Sequence, residues 1–168
     1  MLEFAIIVPV LILLIVAGFV LSNALRKHET ASGFSREAAS RAYRECSAEI
    51  GETSALACLT TVERQLEAEL IELYSGSEII TSLYRFEMPG TPCPTTFSPF
   101  AATTPERFHS RLASQDAVAA NGIIDPELIC ETRAVAVAEV FIPQDDLFGR
   151  LGAIFFFQPE QFYNVSIL

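Results

Sequence analysis

The chain has 168 residues, which is enough for one domain of ordinary size once an apolar head is set aside. Its formal net charge is −10, and its 11 lysines and arginines are scattered, so the sequence excludes a basic surface for nucleic acid. Hydrophobic residues make up 51% of the chain, and much of their excess over an ordinary soluble domain lies in residues 4–22. The remainder has the composition of an acidic globular domain.

The head of the chain reads MLEFAIIVPVLILLIVAGFVLSNALRKHE, with no charge between Glu3 and Arg26. A helix of about 18 to 22 residues rises roughly 27 to 33 Å, the thickness of the hydrocarbon core of a bilayer. A cleavable signal peptide has a basic start and a shorter apolar run, whereas this head is acidic and long. Residues 1–25 are therefore predicted to be a transmembrane helix, with the lipid bilayer as a partner.

Glu3 and Pro9 are the two unusual residues of this head. A carboxylate at the edge of the hydrocarbon is costly unless it is paired. Proline lacks a backbone donor and clashes with the preceding turn, so a bend is predicted near residues 5 to 9. Because Arg26 and Lys27 follow the span, the positive-inside rule alone places the rest of the chain in the cytoplasm.

Two amphipathic helices are predicted after the span, over residues of about 31–50 and 54–75. Gly51 is a stop signal for the first helix, Thr53 is a candidate N-cap of the second, and Gly76 ends it. The two helices are expected to form an antiparallel hairpin. Their predicted apolar stripes contain Phe34, Ala38, Ala42, Cys46 and Ile50 in the first helix, and Leu59, Val62, Leu66, Leu70 and Tyr74 in the second.

The four cysteines, Cys46, Cys58, Cys93 and Cys130, are disulfide candidates because their spacing fits no metal site. Cys46 and Cys58 lie equally far from the turn of the hairpin, which makes them the preferred pair and leaves Cys93 to pair with Cys130. Disulfides require a domain outside the cytoplasm, in conflict with the charges that flank the span. The alternative is four reduced, buried cysteines.

Three strands are predicted, over residues of about 78–88, 128–142 and 161–168, giving an α+β fold with a small antiparallel sheet. On the first strand, Ile80, Tyr84, Phe86 and Met88 are expected on one face. Residues 89–105 are rich in proline, serine and threonine and are predicted to form a loop, with a short helix after Thr104. The apolar residues 147–157 are interpreted as core packing, with contact to the bilayer as the alternative. Residues 26–168 together are predicted to form one extracytoplasmic domain.

No motif for catalysis occurs: GxSxG, HExxH, the P-loop and GxGxxG are all missing. Asp145 and Asp146 are adjacent in a predicted turn, and His109 has no partner residue in a recognisable pattern. The chain is therefore predicted not to be an enzyme and to use no catalytic residue, no metal, no cofactor and no small-molecule substrate.

The head LEFAIIVPVLILLIVAGF resembles the N-terminal signature of TadE-like proteins, the minor pilins or pseudopilins of the tight-adherence (Tad) pilus within the type IV filament superfamily. The resembling features are the pair Glu3 and Phe4, Pro9, and the leucine-rich run that follows. FSREAASRAYREC resembles the family's segment after the span, and AVAVAEVFIP with DDLFGRLGAIFFF resembles its C-terminal half more loosely.

The resemblance implies a subunit of the bacterial inner membrane, with its C-terminal domain outside the cytoplasm or in a surface filament. Its implied partners are other pilin-like subunits and the inner-membrane platform that assembles the pilus. Glu3 would meet the free terminal amine of the adjacent subunit, with Phe4 and Pro9 as further assembly residues. Because family precursors carry a short basic leader, we expect either a processed start near residue 1 or a true start upstream.

A second function is a single-span envelope binding domain that never polymerises. Its recognition surface would be the loop 89–105, held by a disulfide.

Overall fold

The computed structural model describes residues 2–85, 100–103, 134–144 and 161–168, with side chains from residue 7 onward. It contains helix α1 (Leu2–Arg41), a π-helical turn (Ala42–Cys46), helix α2 (Glu52–Leu73) and four strands. The strands are β1 (Glu78–Arg85), β2 (Ala101–Ala102), β3 (Ala134–Pro143) and β4 (Gln161–Ile167). This is the predicted α+β fold, with a long apolar N-terminal helix, a second helix and a small antiparallel sheet.

Helix α1 is continuous through the segment that the sequence divides into a span and a separate first helix of the hairpin. It includes Pro9, and it gives way at Ala42 to one π-helical turn. Ala38, Ala42 and Cys46 are buried as predicted, but the prediction for Ile50 is wrong, since its side chain is 90% exposed. The helical stripe stops after Cys46 because the chain there leaves the helix, so Ile50 is no longer in phase with it.

Helix α2 buries its predicted stripe, and Tyr74 packs against the same core from just beyond the helix end. The N-cap of α2 is Gly51 and not the predicted Thr53, which already lies inside the helix. The last helical residue is Leu73, and Gly76 has a φ of 76°, a conformation that favours glycine, in the turn that leads to β1. Gly51 therefore starts the second helix as well as ending the connection from the first.

The sheet has the order β2-β1-β3-β4, and every neighbouring pair is antiparallel. The sequence missed β2, which pairs Ala101 with Leu83 and lies inside the predicted loop 89–105. Two residues are too few for a periodic pattern, so the strand exists only through its partner. Strands β3 and β4 fall within the predicted segments or within one residue of them.

Several residues with predicted roles lie outside the described part of the structure: Phe86, Met88, Cys93, His109, Cys130, Asp145, Asp146 and residues 147–157.

The helices pack on one face of the sheet, α1 over β3 and β4, and α2 over β1 and β2. The core at this interface is rich in alanine on both sides. Ala38 of α1 and Ala42 of the π-helical turn belong to the same buried cluster as Ala136 and Ala138 of β3. Small side chains on both elements let the helix approach the sheet closely, and this explains why β3 alternates alanine with valine. The alanines face the helices, whereas Val135 and Val137 are buried on the other face.

Enlarging one of these alanines should destabilise the domain. Ala38 is fully buried in the cluster, so Ala38→Leu is expected to lower the free energy of unfolding by about 1 to 3 kcal/mol through overpacking. The measurement is urea denaturation of the full chain in detergent micelles, followed by circular dichroism.

Gly33→Ala, five residues earlier in the same helix, is the matched control. Gly33 is exposed, and a Cβ built on it meets nothing within 4 Å. This change is expected to stabilise the chain by about 0.5 to 1 kcal/mol. Equal effects of the two substitutions would contradict the close alanine packing.

A disulfide joins Cys46, the last residue of the π-helical turn, to Cys58 in the second turn of α2, with 5.7 Å between their Cα atoms. This is the preferred pair of the sequence analysis. It closes the connection between the two helices at the end far from the apolar head.

Removing this disulfide should cost stability through the entropy of the unfolded chain. With 12 residues of separation, Cys46→Ala combined with Cys58→Ala is expected to lower the free energy of unfolding by about 3 kcal/mol. Chemical denaturation of the oxidised chain measures the loss. The comparison is the unaltered chain after reduction, and a double variant as stable as the oxidised parent would show that the bond adds nothing.

Candidate membrane and assembly surface

The first half of α1 exposes a continuous apolar surface. Its most apolar window of 18 residues has a mean hydropathy of 2.5 and is only 6% buried. Within the described residues it is the one helix long and apolar enough to cross a membrane by length and composition. The exposed large side chains of this segment are Ile7, Val8, Val10, Leu11, Ile12, Leu13, Leu14, Ile15, Phe19, Leu21 and Leu25, each between 45% and 65% exposed.

Such a surface is unfavourable in water, since burial of apolar area stabilises by about 25 cal/mol per Å². Soluble monomers rarely expose an apolar patch of this extent. The side chains point in all directions around the helix, as expected for a helix surrounded by lipid or by similar helices. The segment therefore fits a helix that crosses a membrane.

The predicted assembly residues all lie on the first turns of this helix. Glu3 and Phe4 are in the helical backbone of α1, and their side chains are outside the described part of the structure. Pro9 lies inside the helix, which continues through it. The bend near residues 5 to 9 and the roles of all three residues stay predictions.

Val20 is the one buried side chain of the described part of α1 before Lys27, at 3% exposed, and at Lys27 the environment of the helix changes. Lys27 is 5% exposed, and its Nζ lies 5.7 Å from the centroid of the Tyr74 ring, at the end of α2. A lysine can bury its aliphatic stem in this way while its ammonium group contacts an aromatic face. From Ala31 onward one face of α1 belongs to the core. The border between the exposed segment and the domain thus lies within about two turns of helix.

Polar contacts fix α1 against the edge strand β4. The hydroxyl of Ser35 donates to Oδ1 of Asn164 at 2.9 Å, and Ser166 Oγ lies 2.9 Å from the Ser35 Oγ. Ser35 is fully buried, so these partners replace the water that it loses. At the far end of the helix, the guanidinium of Arg85 donates to the carbonyl of Ser47 and lies over the Phe100 ring.

Helix α2 carries a half-buried carboxyl group in an acidic pocket. Burial raises the pKa of Glu63 from its ordinary value of 4.5 to about 7, opposed by a hydrogen bond with Thr103. The charges of Glu67 and Glu78 raise this pKa further, and Arg64 lowers it. One oxygen of Glu63 is buried without a hydrogen-bond partner, as expected where the neutral acid is favoured.

A second buried carboxylate lies on the sheet face away from the helices. Glu139 of β3 is 1% exposed and accepts a hydrogen bond of 2.9 Å from the Tyr163 hydroxyl. Burial raises the pKa of Tyr84 to about 12, and the charge of Glu139 adds to this shift. Among the described residues, no group of three or more histidine, cysteine and acidic side chains could hold a metal ion.

Five residues have structural contacts that were not predicted from the sequence: Lys27, Ser35, Glu63, Arg85 and Glu139. Only Glu139 had a local signal, because it is the single charge within an otherwise apolar strand. The other four have partners more than 35 residues away in the chain, and no periodicity reveals such pairs.

Comparison with known proteins agrees with the reading of the head. Residues 1–40 match the family model described as TadE-like protein. The predicted resemblance to this family is thereby confirmed over residues 1–40, which comprise nearly all of α1. This family is associated with the Tad pilus, and its members are generally non-enzymatic. In this chain the matched residues form a helix whose first half is apolar. No curated protein and no solved structure matches this chain.

The stability of the domain should depend on pH through Glu63. The pKa of Glu63 is higher in the folded chain than in the unfolded chain, where it has its ordinary value of 4.5. The contribution of Glu63 to the free energy of unfolding is therefore fully present below about pH 4.5 and is lost as the pH rises through about 7. Glu63→Gln is therefore expected to stabilise the chain at pH 8, by about 1 to 2 kcal/mol after allowance for solvent screening of a half-buried group. Denaturation of the full chain at pH 5 and pH 8 measures the effect.

The control for this prediction is Glu69→Gln, which removes the same charge from an exposed position of α2. It should leave the difference between pH 5 and pH 8 in place. If Glu63→Gln leaves that difference equally unchanged, the pH dependence has another source.

Proposed function

We propose that the chain is a non-enzymatic, pilin-like subunit that takes part in assembly of a Tad-type pilus or a related secretion filament. The observation that carries this proposal is the single helix α1, whose exposed apolar half matches the TadE-like family and whose second half is a core helix of the α+β domain. A subunit built in this way is held in the bilayer before assembly and contributes its helix to a bundle afterwards.

In this proposal the chain crosses the bacterial inner membrane once, with its domain outside the cytoplasm. The disulfide between Cys46 and Cys58 supports this side of the membrane, since structural disulfides persist in oxidising compartments. Arg26 and Lys27 would then lie on the outer side, against the positive-inside rule. Lys27 is buried against Tyr74, so its position is set by the fold of the domain. It therefore carries little weight as a flanking charge in the positive-inside rule.

Glu3 is the residue proposed to act in assembly. A carboxylate close to the hydrocarbon requires a partner, and the free terminal amine of a neighbouring subunit supplies the opposite charge. The partners of this step are other pilin-like subunits and the inner-membrane assembly platform. Phe4 would pack beside the pair, and Pro9 would loosen the helix so that it can bend on leaving the bilayer.

Neutralising Glu3 should abolish incorporation and leave anchoring intact. Loss of one member of a desolvated ion pair costs about 3 to 5 kcal/mol, so Glu3→Gln is expected to reduce the chain recovered in filaments, or cross-linked to neighbouring subunits, by more than about tenfold. The amount of chain in the membrane fraction should not change. Both quantities are measured by immunoblotting of sheared filaments and of washed membranes.

Two control variants accompany this experiment. Glu3→Asp retains the charge and should retain part of the incorporation, whereas Glu29→Gln removes a charge from an exposed position of the same helix and should behave as the unaltered chain. Full incorporation of Glu3→Gln would rule out the assembly role of Glu3. Absence of the unaltered chain from the filament fraction would instead favour an anchored envelope domain that does not polymerise.

A further inference from the structure

The end of α2 carries two exposed apolar residues beside the point at which α1 leaves its apolar segment. Leu73 is 63% exposed and Ile71 is 44% exposed, in the last turn of the helix. Tyr74 follows directly and contacts Lys27 of α1. Apolar side chains at this place are unfavourable in water, and the domain core does not cover them.

The position of this helix end along α1 is fixed by two contacts. Cys58 lies beside Cys46, and Tyr74 lies beside Lys27, so α2 runs antiparallel to α1 and returns towards the apolar segment. Leu25 is the last exposed large apolar residue of that segment, and Arg26 is the first charge after it. Because an α-helix rises about 1.5 Å per residue, the level of Lys27 and Tyr74 is about 3 Å beyond Leu25. Leu73 and Ile71 precede Tyr74 on the antiparallel α2 and therefore lie about 4.5 Å and 7.5 Å beyond Leu25.

The headgroup layer is roughly 5 to 7 Å thick on each side of a bilayer, so Leu73 lies within it and Ile71 lies at its outer edge. A tilt of α1 of about 20° would move a neighbouring helix by only a few ångström. Apolar side chains and a tyrosine are favoured in this layer, and the exposed Arg26 can reach lipid phosphates, whereas Lys27 is buried against Tyr74. Glu72, which is exposed between Ile71 and Leu73, disfavours a strongly anionic surface and favours zwitterionic lipid.

We propose that the C-terminal turn of α2, with Ile71 and Leu73 at its surface, inserts into the headgroup layer of the membrane that α1 crosses. The domain then has two attachments to the bilayer, the span of α1 and this helix end, and both the rotation of the domain about α1 and its height are restricted. The inference rests on the proposed membrane anchoring and adds to it a defined contact between the domain and lipid.

The chain contains no tryptophan, so single tryptophans report on chosen positions without background. The experiment uses the full chain reconstituted in vesicles of phosphatidylcholine that include lipids brominated at a defined depth. The reporters are Leu73→Trp for the proposed contact, Gln65→Trp on an exposed position eight residues earlier in α2, and Leu13→Trp in the span. Position 65 is about 12 Å farther from the bilayer than position 73.

Leu73→Trp is expected to emit at a shorter wavelength than Gln65→Trp and to show at least about twofold stronger quenching by lipids brominated close to the headgroup. Adding Ile71→Glu to the Leu73→Trp chain should reduce this quenching towards that of Gln65→Trp. This double variant separates the affinity of the helix end for lipid from the affinity of tryptophan itself.

Leu13→Trp separates this inference from the proposed anchoring. If Leu13→Trp is quenched by deeply brominated lipid and Leu73→Trp is not quenched at all, the anchor stands and the inference is overturned. A blue-shifted but unquenched Leu73→Trp would also overturn it, because protein would then cover the helix end. Failure of Leu13→Trp to be quenched would remove the anchoring itself.

Discussion

The backbone of α1 continues without a break from an exposed apolar segment into the core of the α+β domain, and the rest of the structure depends on this continuity. Residues 7–25 expose most of their apolar side chains, with Val20 buried, whereas one face of residues 31–46 packs against the sheet and α2. Because a helix is stiff over this length, the position of the domain relative to the apolar segment is set by α1, and a flexible linker has no place between them.

The second consequence of this continuity concerns the contacts that hold α1 to the domain. Alanines face each other across the interface with β3, and small side chains permit close packing over the length of the helix. The disulfide closes the hairpin at one end, and the contact of Lys27 with Tyr74 closes it at the other. Force or bending applied to the apolar segment is therefore expected to reach the sheet and α2 together.

Polar groups inside the domain are placed where their cost is compensated. Ser35 finds two partners on β4, and Glu139 accepts the Tyr163 hydroxyl. Glu63 is an exception, because its burial favours the neutral form and its neighbours Glu67 and Glu78 are also acids. The pocket around Glu63 is thus expected to make the contact between α2 and the sheet sensitive to pH near neutrality.

The sequence by itself determined the apolar helix, the hairpin of helices, the pairing of Cys46 with Cys58, and the segments of the main strands. Each of these is encoded in local periodicity or in spacing along the chain, and the TadE-like signature of the head is likewise a local pattern. The tertiary structure alone decided the strand order, strand β2, the π-helical turn that leaves Ile50 exposed, and the pairing of Lys27 with Tyr74. Those features depend on contacts between residues that are distant in the chain, and on the geometry that packing imposes where local propensity is weak.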